Sequence, residues 1–328
     1  MQARTTTGEV CGWEELVLAD SDTSVHVLPA KGADIRAILD SRTTANVLFA
    51  APWGLQPPGA PPREGWMEEP FLANYEGGWQ ELLPNTNDRC VVDGVEIPFH
   101  GEVAGLPWRW EIQDDGSAAI VALEVNCSLV PLRLRRRMVL PTGEALVLEE
   151  HVSNIGEHSV RFTWGHHLVL GAPLIAAGAR LAVPAGFLST PAEPWECTHR
   201  LEPGQRSPWP QARLRDGGEV DLREIPGREA GSHDDVFLDE LSGGWAEVRN
   251  PRLGLGVRLE WDPAVFGALV CWQAFGGARA MPLAGSYALG LEPWVFAGNA
   301  AGAVARGCAL ELRPGESLST ELRIALLR

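Results

Sequence analysis

Between residues 118 and 160 the chain alternates apolar and polar residues with a period close to two. Ile120-Val121-Ala122-Leu123-Glu124-Val125, the run Leu132 to Leu140 and the run Ala145 to Val152 follow one another in this pattern. A strand puts every second side chain on one face, whereas a helix repeats every 3.6 residues, so the pattern predicts three consecutive strands. Shorter runs of the same kind recur along the chain: Glu15 to Leu18, Val25 to Leu28, Ile35 to Leu39, Trp245 to Val248, Gly256 to Trp261, Ala268 to Trp272, Ala288 to Trp294 and Glu321 to Leu326. Turn residues such as Ala19-Asp20-Ser21-Asp22 separate them. No segment of ten residues carries an apolar helical stripe with caps, and no repeat of fixed length is present. The expectation is an all-β protein with large antiparallel sheets, organised as one domain over residues 1–328.

Composition narrows the partners. A net charge of −16 opposes binding to nucleic acid or to an anionic membrane, both of which need a basic surface. No apolar run approaches the roughly 20 residues that span a bilayer. Met1-Gln2-Ala3-Arg4-Thr5-Thr6 lacks the pattern of a secretory leader, so the expected location is cytoplasmic. The six cysteines are scattered without Cys-x-x-Cys spacing, as reduced thiols would be. Thirteen tryptophans against two tyrosines supply either core bulk or stacking surface for sugar rings.

Chemistry concentrates in three places. Phe162-Thr163-Trp164-Gly165-His166-His167-Leu168-Val169-Leu170 reads as a strand with two adjacent histidines, which must point to opposite faces. Each is either a hydrogen-bonded core residue or an acid–base group titrating near neutrality. Glu292, in Leu291-Glu292-Pro293-Trp294, is a carboxylate in an apolar strand: either an arginine partner or a group with a raised pKa suited to proton transfer. His100, beside Gly101, either satisfies a turn or holds a ligand hydroxyl. The glycines of Asn74-Tyr75-Glu76-Gly77-Gly78-Trp79 predict a binding wall or an ordinary turn, and the Pro- and Gly-rich stretch 51–70 a cover or a disordered loop. Arg133, Arg135 and Arg137 share one strand face, as a solvated surface or a phosphate patch would.

Other chemistries lack their signatures. Neighbouring histidines on a regular strand cannot share one ion, and there is no His-x-His or His-x-x-x-His, so no metal site is expected. No serine sits in Gly-x-Ser-x-Gly, and no glycine-rich loop opens a helix as a phosphate cradle would.

The order of these pieces resembles the aldose 1-epimerase (mutarotase) superfamily. The resemblance rests on Gly77-Gly78 with Pro84-Asn85, on His100-Gly101 followed by Trp108, and on the histidine strand after Asn154-Ile155-Gly156. It continues through Asp234-Asp235-Val236-Phe237 and Glu292-Pro293-Trp294 to the closing Pro314-Gly315-Glu316. It implies a galactose-mutarotase-like β-supersandwich and a cofactor-free isomerase acting on a small-molecule sugar, as a monomer or homodimer. It also implies His167 as the acid on the ring oxygen, with His166 the alternative, and Glu292 as the base on the anomeric hydroxyl. His100 and Asp234 would hold the sugar, with Asp235 the fallback. Arg89 would assist, and Trp79 or Trp294 would lie against the ring. Asn87-Asp88-Arg89 only loosely echoes the family's Asn-Arg pair, which leaves the sugar open. Two further readings remain at this stage: a hexose-6-phosphate 1-epimerase drawing on Arg89 and the Arg133–Arg137 strand, and a non-catalytic carbohydrate-binding protein.

Overall fold

The computed structural model describes residues 2–61 and 69–328. The cover expected over 51–70 falls partly on residues 62–68, which lie outside the described residues. Two large antiparallel sheets dominate, one of twelve strands and one of eight, with three two-stranded sheets at their margins. The middle of the larger sheet runs Asp34–Asp40, Trp79–Leu82, Gly165–Gly171, Tyr287–Trp294, Ala268–Phe275 and Ser232–Asp239. The predicted alternating run 118–160 forms the far half of the smaller sheet, Leu146–Asn154, Leu132–Pro141 and Ala118–Asn126 in spatial order.

Alternation explains the layering. Leu134, Met138 and Leu140 of the smaller sheet join Leu168, Leu170, Leu289 and Leu291 of the larger one in a single core. Burying each such side chain is worth about 1.5–3 kcal/mol, which drives the two sheets face to face. Residues on the other face of the larger sheet, among them Val169, Trp272 and Ala288, pack with Phe49, Tyr75 and Phe99 in a second apolar cluster. That cluster supports a cavity. The region 191–231, expected as a surface excursion with few strands, contains three short ones, and Arg206–Pro208 forms an edge of the larger sheet. Among the described residues no helix is long and apolar enough to cross a membrane.

The intersheet core is not wholly apolar. Arg136 rises from the smaller sheet and donates from Nε to Glu150 Oε1 at 2.8 Å and from Nη1 to the carbonyl of Ala33 at 3.2 Å. Its Nη2 donates to Glu81 of the larger sheet, which also accepts from the Trp164 indole. His166 completes the group, with Nε2 3.2 Å from Glu150 and Nδ1 accepting from Trp79 Nε1 at 3.2 Å. All four charged side chains are essentially inaccessible to water. Removing one member of such a network strands its partners, which typically costs about 3–5 kcal/mol. Arg136→Met is therefore expected to lose about 3–5 kcal/mol of stability in urea unfolding. A loss below about 1 kcal/mol would mean that the network does not tie the sheets together.

Candidate active site

The strand Gly165–Gly171 divides its two histidines between two environments. Side chains 166, 168 and 170 enter the intersheet core, while 167 and 169 face the open side. Gly165 pairs with Trp294 and Leu168 with Leu291, a register that sets His167 opposite Glu292 on the neighbouring strand. Their side chains meet with His167 Nε2 3.8 Å from Glu292 Oε1. Gly290 makes room for this contact: a Cβ there would lie 2.6 Å from Glu292 Oε1 and 2.9 Å from the Trp272 side chain.

A cavity of about 170 Å³ opens over the pair, lined by aromatic side chains including Phe71, Tyr75, Trp195, Trp272 and Trp294 and by polar groups from several loops. Concave, mostly apolar sites with a few convergent polar atoms are where small ligands bind. His100 enters from the loop after Ile97, its ring centroid 5.3 Å from that of His167. Its backbone holds a positive φ of 60°. Asn85 secures this loop. Its Nδ2 donates to the carbonyls of Asn87, Asp88 and Pro98, and its Oδ1 accepts from the Ala300 amide, at the start of the helix Ala300–Arg306. The Thr86 carbonyl lies 2.7 Å from His100 Nδ1, which must therefore donate, leaving Nε2 as an acceptor. Among the described residues, three buried polar atoms of the cavity have no protein partner: His167 Nδ1, Tyr75 Oη and Trp294 Nε1. Buried polar groups are normally satisfied, so they are where a bound ligand or water would make hydrogen bonds.

Burial sets the protonation of the pair. It pulls the His167 imidazole down to about 3. Burial, with Asp235 adding repulsion, pushes the Glu292 carboxyl well above its ordinary range. His100 is likewise held well below the usual histidine value by burial and by His167. Burial thus disfavours the charged form of both groups, a poise suited to proton transfer.

The sequence expectations need correction at Asp234, His166, Trp79 and Arg89. Asp234 points away from the cavity and binds the Arg200 amide at 2.9 Å and Arg200 Nε at 2.6 Å; Asp235, one position on, lines it. A one-residue shift on a strand exchanges faces, which a sequence motif cannot resolve. His166 lies in the ionic core and not at the cavity, for the same reason. Trp79 is its indole partner on the core side. Arg89 is exposed and forked between Glu69 and Glu96, although its neighbours Asn87 and Asp88 do line the cavity. The glycine wall is also a matter of backbone packing: Gly77 and Gly78 take φ of 93° and 87°, and a Cβ on either would strike the carbonyl of Phe49 or Ile35. Conversely, Trp195 and Glu193 line the cavity without any sequence motif that marks them as site residues, while Tyr75 lines it from within the stretch expected as a binding wall or a turn. Trp195 and Glu193 lie in the loop-rich region 191–231, where local sequence carries no face information.

Glu81, Glu150 and His166 bring ligand atoms within 4.8 Å of one another, as a metal site would. Arg136 already bonds both carboxylates, so a cation neutralises them from within the chain. The Arg133, Arg135 and Arg137 side chains pair instead with Glu124 and Glu149 of their own sheet. They do not line the cavity.

A model of the family described as domain of unknown function (DUF4432) matches residues 21–326. The chain belongs to this family. Its fold is galactose mutarotase-like. The Slr1438 protein from Synechocystis sp. PCC 6803 superposes with a TM-score of 0.70 at 18% identity, covering 95% of each chain. A protein called a putative aldose 1-epimerase from Klebsiella pneumoniae subsp. pneumoniae gives 0.69 at 16% identity, over 97% of this chain and 80% of that one. A galactose mutarotase-like protein from Lactobacillus casei ATCC 334 gives 0.63 at 13% identity, over 95% and 99%. No curated protein matches the chain. The sandwich architecture expected from the alternating pattern, and the fold implied by the resemblance, are thus both present in this DUF4432 member.

The raised pKa of Glu292 has a thermodynamic signature. The folded state holds that proton more tightly than the unfolded chain, whose carboxyl titrates near 4.5. The associated stability is complete below 4.5 and is lost as pH rises through the folded value, falling by about 1.4 kcal/mol per pH unit between the two. Glu292→Gln carries no such titration. Its melting temperature relative to wild type is expected to rise between pH 4 and pH 8; a constant difference would place the carboxyl in the ordinary range.

Proposed function

We propose that this protein is an aldose 1-epimerase, interconverting the α and β anomers of a free sugar by acid–base ring opening and reclosure. The observation that carries the reading is the His167–Glu292 pair, 3.8 Å apart on neighbouring strands and buried at the floor of a small aromatic cavity. The likeness in fold to galactose mutarotase-like proteins supports it.

A sugar hydroxyl donating to Glu292 favours its ionised form, with the shared proton on His167. Glu292 then takes the proton of the anomeric hydroxyl while His167 gives its proton to the ring oxygen. The C1–O5 bond breaks and an open aldehyde forms. Rotation about the C1–C2 bond presents the other face of the carbonyl. Closure reverses both transfers and restores the pair. One proton is exchanged at each end, so no net charge enters or leaves the site. His100 Nε2 accepts from a sugar hydroxyl, and Tyr75 Oη and Trp294 Nε1 can donate to sugar oxygens. Asp235 would hold a further hydroxyl. Trp195 and Trp272 offer apolar faces to the ring.

General acid–base catalysis of this kind contributes about 10²–10⁴-fold. With freshly dissolved α-glucose and α-galactose followed by polarimetry or proton NMR, Glu292→Gln is expected to lower kcat by about 10²–10⁴-fold while sugar binding persists. Full retention of turnover would remove Glu292 from the reaction. No acceleration with any sugar, despite binding, would leave a carbohydrate-binding protein.

The pH profile follows from the same proton count. Activity needs one proton on the pair, so kcat/KM should fall where His167 gains a second proton, near 3, and where Glu292 loses the last one. Because Glu292 is shifted upward, the alkaline limb is expected well above the ordinary carboxylate value of 4.5. An alkaline limb at 4.5 would contradict the shared-proton mechanism.

A further inference from the structure

The charge of the cavity is one-sided. Its described lining carries the carboxyl groups of Asp88, Glu193, Asp235 and Glu292, and no lysine or arginine. Glu292 lies at the floor with Asp235 near it, while Asp88 and Glu193 are exposed where the cavity meets solvent. Two of the cationic side chains near it in sequence are spent on other carboxylates: Arg89 on Glu69 and Glu96, and Arg200 on Asp234. Residues 62–68, outside the described structure, contain Arg63 against Glu64 and Glu68.

Such a field discriminates among sugars. A phosphate or carboxylate substituent would enter against like charge with no guanidinium to pair it, and like-charge juxtaposition at a binding site is strongly unfavourable. An ammonium substituent would instead meet a lining that carries carboxyl groups, to which charge-assisted bonds are strong. The exposed Trp195 and the neighbouring Phe99 ring, 6.0 Å away, add aromatic faces that attract cations.

We propose that this cavity, read as a mutarotase site, selects its sugar by charge, taking aldoses with an ammonium substituent best, neutral aldoses next and phosphorylated or carboxylated ones least. Asp88 and Glu193 are the selecting groups. This ranks the phosphorylated-sugar reading last on electrostatic grounds, independently of where the Arg133–Arg137 strand lies.

The test uses three pyranoses that differ only at carbon 6: 6-amino-6-deoxyglucose, glucose and glucose 6-phosphate. A primary amine of the lysine type, with a pKa of about 10.4, is charged at pH 7. Anomerisation kcat/KM is measured for each, and binding is followed separately by tryptophan fluorescence, since Trp195, Trp272 and Trp294 line the cavity. The amino sugar is expected to exceed glucose about tenfold and the phosphate to fall about tenfold or more below it, both gaps narrowing at high salt. In Asp88→Asn/Glu193→Gln the amino-to-neutral ratio should fall toward one. A flat series, a preference for the phosphate, or an unchanged ratio in the double variant would overturn charge selection while leaving the mutarotase reading intact. If no sugar is anomerised, that reading fails, and the fluorescence ranking alone decides: preference for the amino sugar sustains the inference, and no binding or a flat ranking ends it.

Discussion

The two faces of one strand are put to opposite uses in this molecule. In Gly165–Gly171 the even-numbered side chains are locked in the core between the sheets, and His167 on the other face looks into the cavity. The site depends on that division. A catalytic pair needs side chains that cannot wander, and His167 is held by a backbone whose far side is anchored by the contacts of His166 with Glu81, Glu150 and Trp79. Burying four ionisable groups between two sheets has a large desolvation cost, and opposed charges in good geometry offset it. Against burial, His166 and Arg136 hold Glu150 down to about 2, while burial and Glu150 push Glu81 up to about 7. The two carboxylates therefore differ in how readily each holds a proton, as like charges sharing a site must.

The same physics, applied without an arginine among the described residues, shifts the two titrating groups at the cavity floor. His167 and Glu292 are nearly as buried as His166 and Glu81, but among the described residues no arginine pairs with them. Desolvation is then answered by neutralisation, so the imidazole loses its proton and the carboxyl keeps one. One sheet thus carries an ionic cluster built around Arg136 on one face and an acid–base pair without an arginine among the described residues on the other. The first contributes order and the second can do work on a ligand. The cavity's rim extends this contrast: where the core balances its carboxylates with Arg136, the cavity leaves Asp88, Glu193 and Asp235 without an arginine or lysine among its described lining. That imbalance is the basis of the charge selection proposed for the site.

Much of this was legible along the chain. Alternation over residues 118–160 announced consecutive strands, because period two has no other structural meaning over such lengths. His167, His100 and Glu292 stood out as polar groups in apolar surroundings, and the structure brings these three together. The choice of His167 over His166 came from the resemblance, whereas the same kind of choice at Asp234 and Asp235 went to the wrong neighbour. Both were decisions about a single residue on a strand, where the faces alternate and local sequence marks neither as inner. Trp79 misled because a tryptophan beside a glycine pair reads equally well as ring support or as core, and its indole went to His166 on the core side.

By itself, then, the sequence determined the class of the protein: the apolar period sets strands, and strands with apolar faces must stack in sheets to bury them. It also determined the acid–base inventory, since the identities of His100, His167 and Glu292 are independent of any fold. Only the tertiary structure decided which face of each strand is dry. The register that sets Gly165 against Trp294 and Leu168 against Leu291 places His167 opposite Glu292, and packing against the second sheet consigns His166, Glu81 and Trp79 to the interior. It also decided the cavity's charge, because Asp88, Glu193 and Asp235 meet only through contacts between distant segments. Faces, registers and long-range convergence depend on how whole sheets pack, and no local window of residues contains that information.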